Sequence, residues 1–104
     1  MNFLIVEYFK KNEDEPFLTR SISVIDGEMS LKMLFLTYNE NILEKLTGTT
    51  YSTGDFINQL DKKCKISNAG NLIDSEALYN ALEYTEKDTD IGTIQLATIQ
   101  ISLK

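Results

Sequence analysis

The sequence predicts a small two-layer α+β domain, in which an antiparallel sheet of three or more strands packs against about three helices. Three observations carry this. The two ends of the chain, FLIVEYF at 3–9 and TIQLATIQISL at 93–103, are rich in β-branched and aromatic residues. A second alternating run, FLTRSISVID, follows the first after a polar connection. The middle, from Ser30 onward, turns to Leu, Met, Lys and Glu with helical spacing.

Taken in order, residues 3–9 are apolar on both alternating sets, Phe3/Ile5/Phe9 and Leu4/Val6/Tyr8, the pattern of a central strand. The polar KKNEDEP at 10–16 ends in the only proline. Leu18, Ile22 and Val24 then alternate with Thr19, Ser21 and Ser23, so an N-terminal hairpin is expected. Leu31, Leu34, Phe35, Tyr38, Ile42 and Leu46 fall on one helical face and predict a single helix from Ser30 to Leu46. Asp26-Gly27 favours a tight turn, and Met29, Leu31, Met33 and Phe35 also alternate, so residues 28–37 have a strand as their alternative.

LTGTTYSTGDF, 46–56, is read as punctuation between helices. Gly48 ends one with Lys45 in its last turn, and Ser52 caps the next with Asp55 at its third position. A phosphate loop needs four residues between its glycines and then a lysine, whereas here five intervene and Asp55 follows. The second helix is expected to present Phe56, Ile57, Leu60 and Cys64 inward, with Lys62, Lys63 and Lys65 toward its negative end. SNAGN, 67–71, reads as a turn. Asp74 then caps a third helix, with Leu78, Ala81 and Leu82 facing inward and Glu83 and Glu86 placed against the dipole of its last turns. The closing strand changes apolar parity between Leu96 and Ile99, which predicts a bulge near Ala97-Thr98, and antiparallel pairing with the first strand is expected.

The 104 residues make one domain, 1–104, with 42% apolar and 25% charged residues. The N-terminal apolar run stops at Glu7 and its lysines follow it, the reverse of a secretion signal. No stretch reaches the roughly 20 apolar residues that cross a bilayer. One cysteine allows no internal disulfide, so a reducing cytoplasm is the expected location.

Catalysis is not expected. The chain has no histidine, which removes the usual general base and the commonest metal ligand. No G-x-S-x-G elbow occurs, and Asp88-Thr89-Asp90 lacks the glycine and glutamate of a calcium loop, since Thr93 and Ile99 stand there. Cys64 is read as a core thiol. No catalytic, cofactor or metal residue is assigned.

Charge is the informative property. Sixteen acidic against ten basic residues give a net charge of -6, which disfavours direct nucleic acid binding and attachment to anionic membranes. Asp74, Glu76, Glu83, Glu86, Asp88 and Asp90 are opposed between 74 and 90 by Lys87 alone, and Glu13, Asp14 and Glu15 form a second acidic cluster. With Tyr79 and Tyr84 as aromatic anchors, Glu76, Glu83, Glu86, Asp88, Asp90, Glu13, Asp14 and Glu15 are the expected partner-binding residues, if the sheet gathers them on one face. Such a face suits a non-enzymatic inhibitor of a basic protein. A bacterial immunity protein against a nuclease toxin is the leading expectation, and a phage-encoded inhibitor of a defence nuclease follows the same physics. The doubly apolar first strand supports another expectation, a homodimeric structural or regulatory subunit.

Overall fold

The computed structural model describes residues 1–104 and has the α+β architecture expected. Strands β1 (Asn2–Tyr8) and β2 (Leu18–Val24) form the N-terminal hairpin, with Leu4 opposite Ile22 and Tyr8 opposite Leu18. Period-two alternation sorts β1 into two faces: Leu4, Val6 and Tyr8 are fully buried, while Phe3, Ile5 and Glu7 face the other way and are half-buried.

The last strand, β6 (Gly92–Leu103), lies beside β1 in parallel, with Phe3 next to Leu96 and Tyr8 next to Ile101. The expected antiparallel pairing is corrected here. A parallel neighbour requires a crossover between the two strands, and the intervening helices supply it. The expected bulge is also absent, because β6 keeps one register against β1 from Gln95 to Ile101. Its change of parity has another cause. Ala97, Ile99 and Ile101 are buried on the helix-covered face, whereas Ile94 and Leu96 share the opposite face with Thr98 and Gln100. The strand is apolar on different faces at its two ends.

On its far side β6 is shared by two strands placed end to end. β5 (Tyr84–Thr89) pairs with Gly92–Ala97 and β3 (Cys64–Asn68) pairs with Ile99–Leu103, both antiparallel. β4 (Asn71–Ile73) flanks β3. The sheet is therefore mixed and six-stranded, in the order β2-β1-β6-β3-β4 with β5 also on β6.

Three helices lie on one face, but not all where the sequence predicts them. The first expected helix is two: α1 (Leu31–Thr37), capped by Ser30 Oγ accepting from the Met33 N–H, and α2 (Ile42–Thr47), capped by Asn41 Oδ1 accepting from the Glu44 N–H. Asn39 in the left-handed region, φ 53°, makes the break. The break re-aims α2, so that Ile42 and Leu43 are both fully buried while Tyr38 is exposed. The strand alternative for residues 28–37 does not occur. Gly48, φ 75°, ends α2, and Ser52 Oγ accepts from the Asp55 N–H to start α3 (Thr53–Lys63), as expected. Cys64 and Lys65 leave that helix and open β3 instead.

The third expected helix is not formed. Asp74 Oδ1 accepts from the Glu76 N–H in a turn, only Tyr79–Ala81 is helical, as one 3₁₀ turn, and Tyr84–Thr89 is strand. Of Leu78, Ala81 and Leu82, only Leu82 is buried.

A single cluster of 19 buried apolar residues fills the space between the helices and one face of the sheet. The opposite face carries no covering element.

Candidate functional site

The exposed edge of β5 is the candidate site. It exists because β5 extends the sheet only through β6 and leaves its own outer edge unpaired. Every residue from Glu83 to Asp88 is exposed. Alternation places Tyr84, Glu86 and Asp88 on the helix-side face of the strand, opposite Ala97, Gln95 and Thr93, with Thr85 and Lys87 on the other. Asp90 is at the tip of the β5–β6 hairpin.

Glu86 and Asp88 are two residues apart on one face, about 7 Å along the strand, and no lysine or arginine is within ion-pair distance of Glu83, Glu86, Asp88 or Asp90. Asp88 Oδ1 accepts a hydrogen bond from Thr93 Oγ1 at 3.0 Å, a neutral contact that leaves its charge in place. Unopposed carboxylates at this spacing repel one another in water weakly but measurably. An approaching cation relieves that repulsion.

The two ends of β5 are fixed by specific groups. Asn68, buried at the end of β3, donates from Nδ2 to the carbonyls of Thr98 at 2.9 Å and Glu83 at 3.3 Å, and accepts on Oδ1 from the Glu83 N–H at 2.8 Å. One amide thus closes the gap where β3 stops and β5 starts, and it aims the acidic strand. At the other end Thr89 Oγ1 donates to the Gly92 carbonyl at 2.7 Å and accepts from the Ile91 N–H, which holds the hairpin tip.

The remaining expected residues are placed elsewhere. Tyr79 is fully buried and donates its hydroxyl to the Phe3 carbonyl at 2.9 Å, so it is a core residue and not a surface anchor. Burial pushes its phenol pKa up. Glu76 is paired with Lys32 of α1 at 3.2 Å. Glu13, Asp14 and Glu15 are exposed in the β1–β2 connection, beyond the end of β1 that lies beside Ile101, whereas β5 flanks the Gly92–Ala97 end. From the level of Gln95 to that of Ile101 the strand rises about 20 Å, and the molecule is 41 Å long. The two acidic clusters are therefore separate surfaces. The loop acids have basic neighbours instead, because Glu13 and Asp14 line a hollow with Lys10 and Lys65.

Two polar features escaped the sequence reading. Asn68 is one, and its only signal is an asparagine just before the Ala69-Gly70 turn. The other is Glu40, whose side chain is 4% exposed between Arg20 Nε at 3.0 Å and Lys45 Nζ at 2.9 Å. It lies close enough to Tyr8 that its charge, after burial, pushes the Tyr8 phenol upward, and the Tyr8 hydroxyl has no hydrogen-bond partner. This cluster ties β2, the α1–α2 loop and α2 together. Only the Glu40 carboxylate is closed to solvent, and the cluster serves the fold.

Cys64 is buried at the start of β3, where burial and then the Asp61 carboxylate push its thiol up to about 12, against opposing effects of Lys104 and Lys63. A thiol so raised is protonated at neutral pH and a poor nucleophile. No group of three or more Cys, Asp or Glu side chains is arranged to hold a metal ion, and no helix is long and apolar enough to cross a membrane.

Comparison with known proteins returns no match, whether to family models, curated sequences or solved structures.

Proposed function

We propose that this chain is a non-enzymatic binding protein that captures a basic protein on the β5 edge, with Glu83, Tyr84, Glu86, Asp88 and Asp90 as the contact residues. The observation that carries the reading is four carboxylates without a counter-ion on and beside one exposed edge strand. Charged edges also discourage edge-to-edge aggregation, but one or two charges suffice for that. A run with a single opposing lysine does more, since it steers a cationic partner into contact. Among partners, a nuclease toxin or defence effector fits best, because a nucleic-acid cleft is basic and an acidic edge competes for it. An immunity protein is the leading reading and a phage inhibitor of a defence nuclease is the alternative.

The test is retention of partners from native cells by the chain and by a Glu86→Lys, Asp88→Lys, Asp90→Lys variant. A basic protein held by the first and lost by the second is expected. Reversal of Glu13, Asp14 and Glu15 at the other end of the molecule should leave retention unchanged. Equal retention by all three would discard the β5 reading.

The uncovered sheet face favours a second reading, a subunit that pairs with its own kind. It uses a different surface, and the two readings are compatible.

A further inference from the structure

The face of the sheet that no helix covers has a defined chemistry. At its centre Phe3 and Leu96 are register neighbours, with Ile5 two residues further along β1 and Ile94 two residues back along β6. Met1 continues the ladder, its ammonium donating to the Thr93 carbonyl and its own carbonyl accepting from the Gln95 N–H, which sets it beside Ile94. Met1 is 70% exposed, and Ile25, just past the end of β2, is 89% exposed. Around this apolar centre stand Ser21, Ser23, Thr85 and Thr98. Alternation brings only three charged strand residues to this face, Glu7, Lys65 and Lys87. The carboxylates of β5 are on its other side or at the hairpin tip. A molecule of net charge -6 thus has one large face free of acidic excess.

We propose that this face is the contact surface of a homodimer, in which two copies oppose their sheets about a two-fold axis that lies between them, passes close to Phe3 and Leu96 and is inclined about 25° from the perpendicular to the strands. The proposal rests on the self-association reading and is independent of capture at β5. Glu7 lies four residues beyond Phe3 on β1, about 13 Å away, and Lys87 lies beside Ile94 on β5, two strands across and about 7 Å in the opposite direction. They are at diagonally opposed corners of the apolar centre. Inclined in this way, the axis exchanges the two corners, so that Glu7 of each copy meets Lys87 of the other and Ile5 of each packs over β6 of the other between Ile94 and Leu96. An isologous contact forms such a pair twice. The footprint is that of a small specific contact: β1, β2, β3, β5 and β6, at about 3.3 Å per residue and 4.8 Å per strand, span about 600 Å² per copy, the low end of the standard range.

Light scattering and sedimentation of the whole chain from about 1 µM to about 1 mM, a range that spans weak to moderate association, should show a monomer–dimer equilibrium. Leu96→Lys, with circular dichroism unchanged, should weaken it by about a hundredfold or more, since it buries two lysines at the axis. E7K and K87E should each weaken it about tenfold, because each places like charges together twice, and the E7K/K87E double variant should return to within about threefold of the unaltered chain. Should Leu96→Lys not fold, the charge swap decides, as Lys87 is exposed and Glu7 only half-buried. A monomer at every concentration overturns the proposal, including one in which this face binds some other protein. So does a dimer indifferent to Leu96→Lys, or a double variant no better than its singles. The Glu86, Asp88 and Asp90 reversal should leave the dimer intact, which keeps failure of this proposal distinct from failure of capture at β5.

Discussion

Glu40 shows how one buried charge organises a loop. Its two carboxylate oxygens face different cations, Arg20 and Lys45, from two different elements. Removing the carboxylate leaves both cations without a partner, so Glu40→Ala should cost about 2 kcal/mol in a denaturant titration. Arg20→Ala should cost under about 1 kcal/mol, because Arg20 is half exposed and Lys45 still neutralises the carboxylate. Tyr8 sets the opposite case. Its buried hydroxyl has no partner, so Tyr8→Phe should be neutral or stabilise by up to about 1 kcal/mol. Cys64 makes a prediction in pH. Its folded pKa, about 12, is above the unfolded value, so its contribution is present below about pH 8.5 and is lost as pH rises toward 12. From this thiol alone stability should fall by about 1.4 kcal/mol per pH unit across that window. Urea midpoints at pH 8 and pH 10.5 should diverge less in Cys64→Ala than in the unaltered chain. The burial of Cys64 was legible in the sequence, but the roles of Glu40 and Asn68 were not. Glu40 and Asn68 look like surface residues in the sequence, and only the tertiary path around Asn39 and across β6 encloses them.

At the scale of elements, short-range chemistry was legible and long-range pairing was not. The β1–β2 hairpin follows from alternation of Leu18, Ile22 and Val24, and the α2–α3 junction from Gly48 and Ser52, all local signals. The stretch SEALYNALEY carries helix-favouring residues at helical spacing, yet β6 presents an open edge at Gly92–Ala97 and recruits Tyr84–Thr89 as strand. Tertiary pairing overrides propensity there. The same override turned the expected acidic helix into an acidic edge, so most of the charged candidates stayed exposed while Tyr79 went to the core. The β3–β4 turn offers a quantitative check. Ala69 and Gly70 have φ 50° and 83°, the left-handed pair of a tight hairpin turn in which asparagine is favoured at the first position. Ala69→Asn should raise stability by about 0.5 kcal/mol or more in thermal unfolding. Asn68→Leu should lower it by about 2 to 3 kcal/mol, since three backbone groups lose their partner at once.

For the molecule as a whole, charge is distributed by face and by end. Acids without counter-ions collect at the β5 end, mixed charges at the β1–β2 end, and few charges on the uncovered sheet face. Association with a basic partner at β5 should therefore slow steeply as salt is raised past about 0.15 M, where charges are screened within about 8 Å. Self-association on the apolar face should change far less. Stopped-flow rates and sedimentation across one salt series measure both.

The parallel contact of β1 with β6 joins residues 2–8 to residues 95–101, nearly the full span of the chain. A ribosome synthesising this protein therefore releases the first hairpin long before its neighbour in the sheet exists, and the central strand waits with both apolar sets exposed until β6 emerges. Assembly is then dominated by distant contacts, which slows folding, and nascent chains stalled before Gly92 should be held by chaperones or degraded instead of folding.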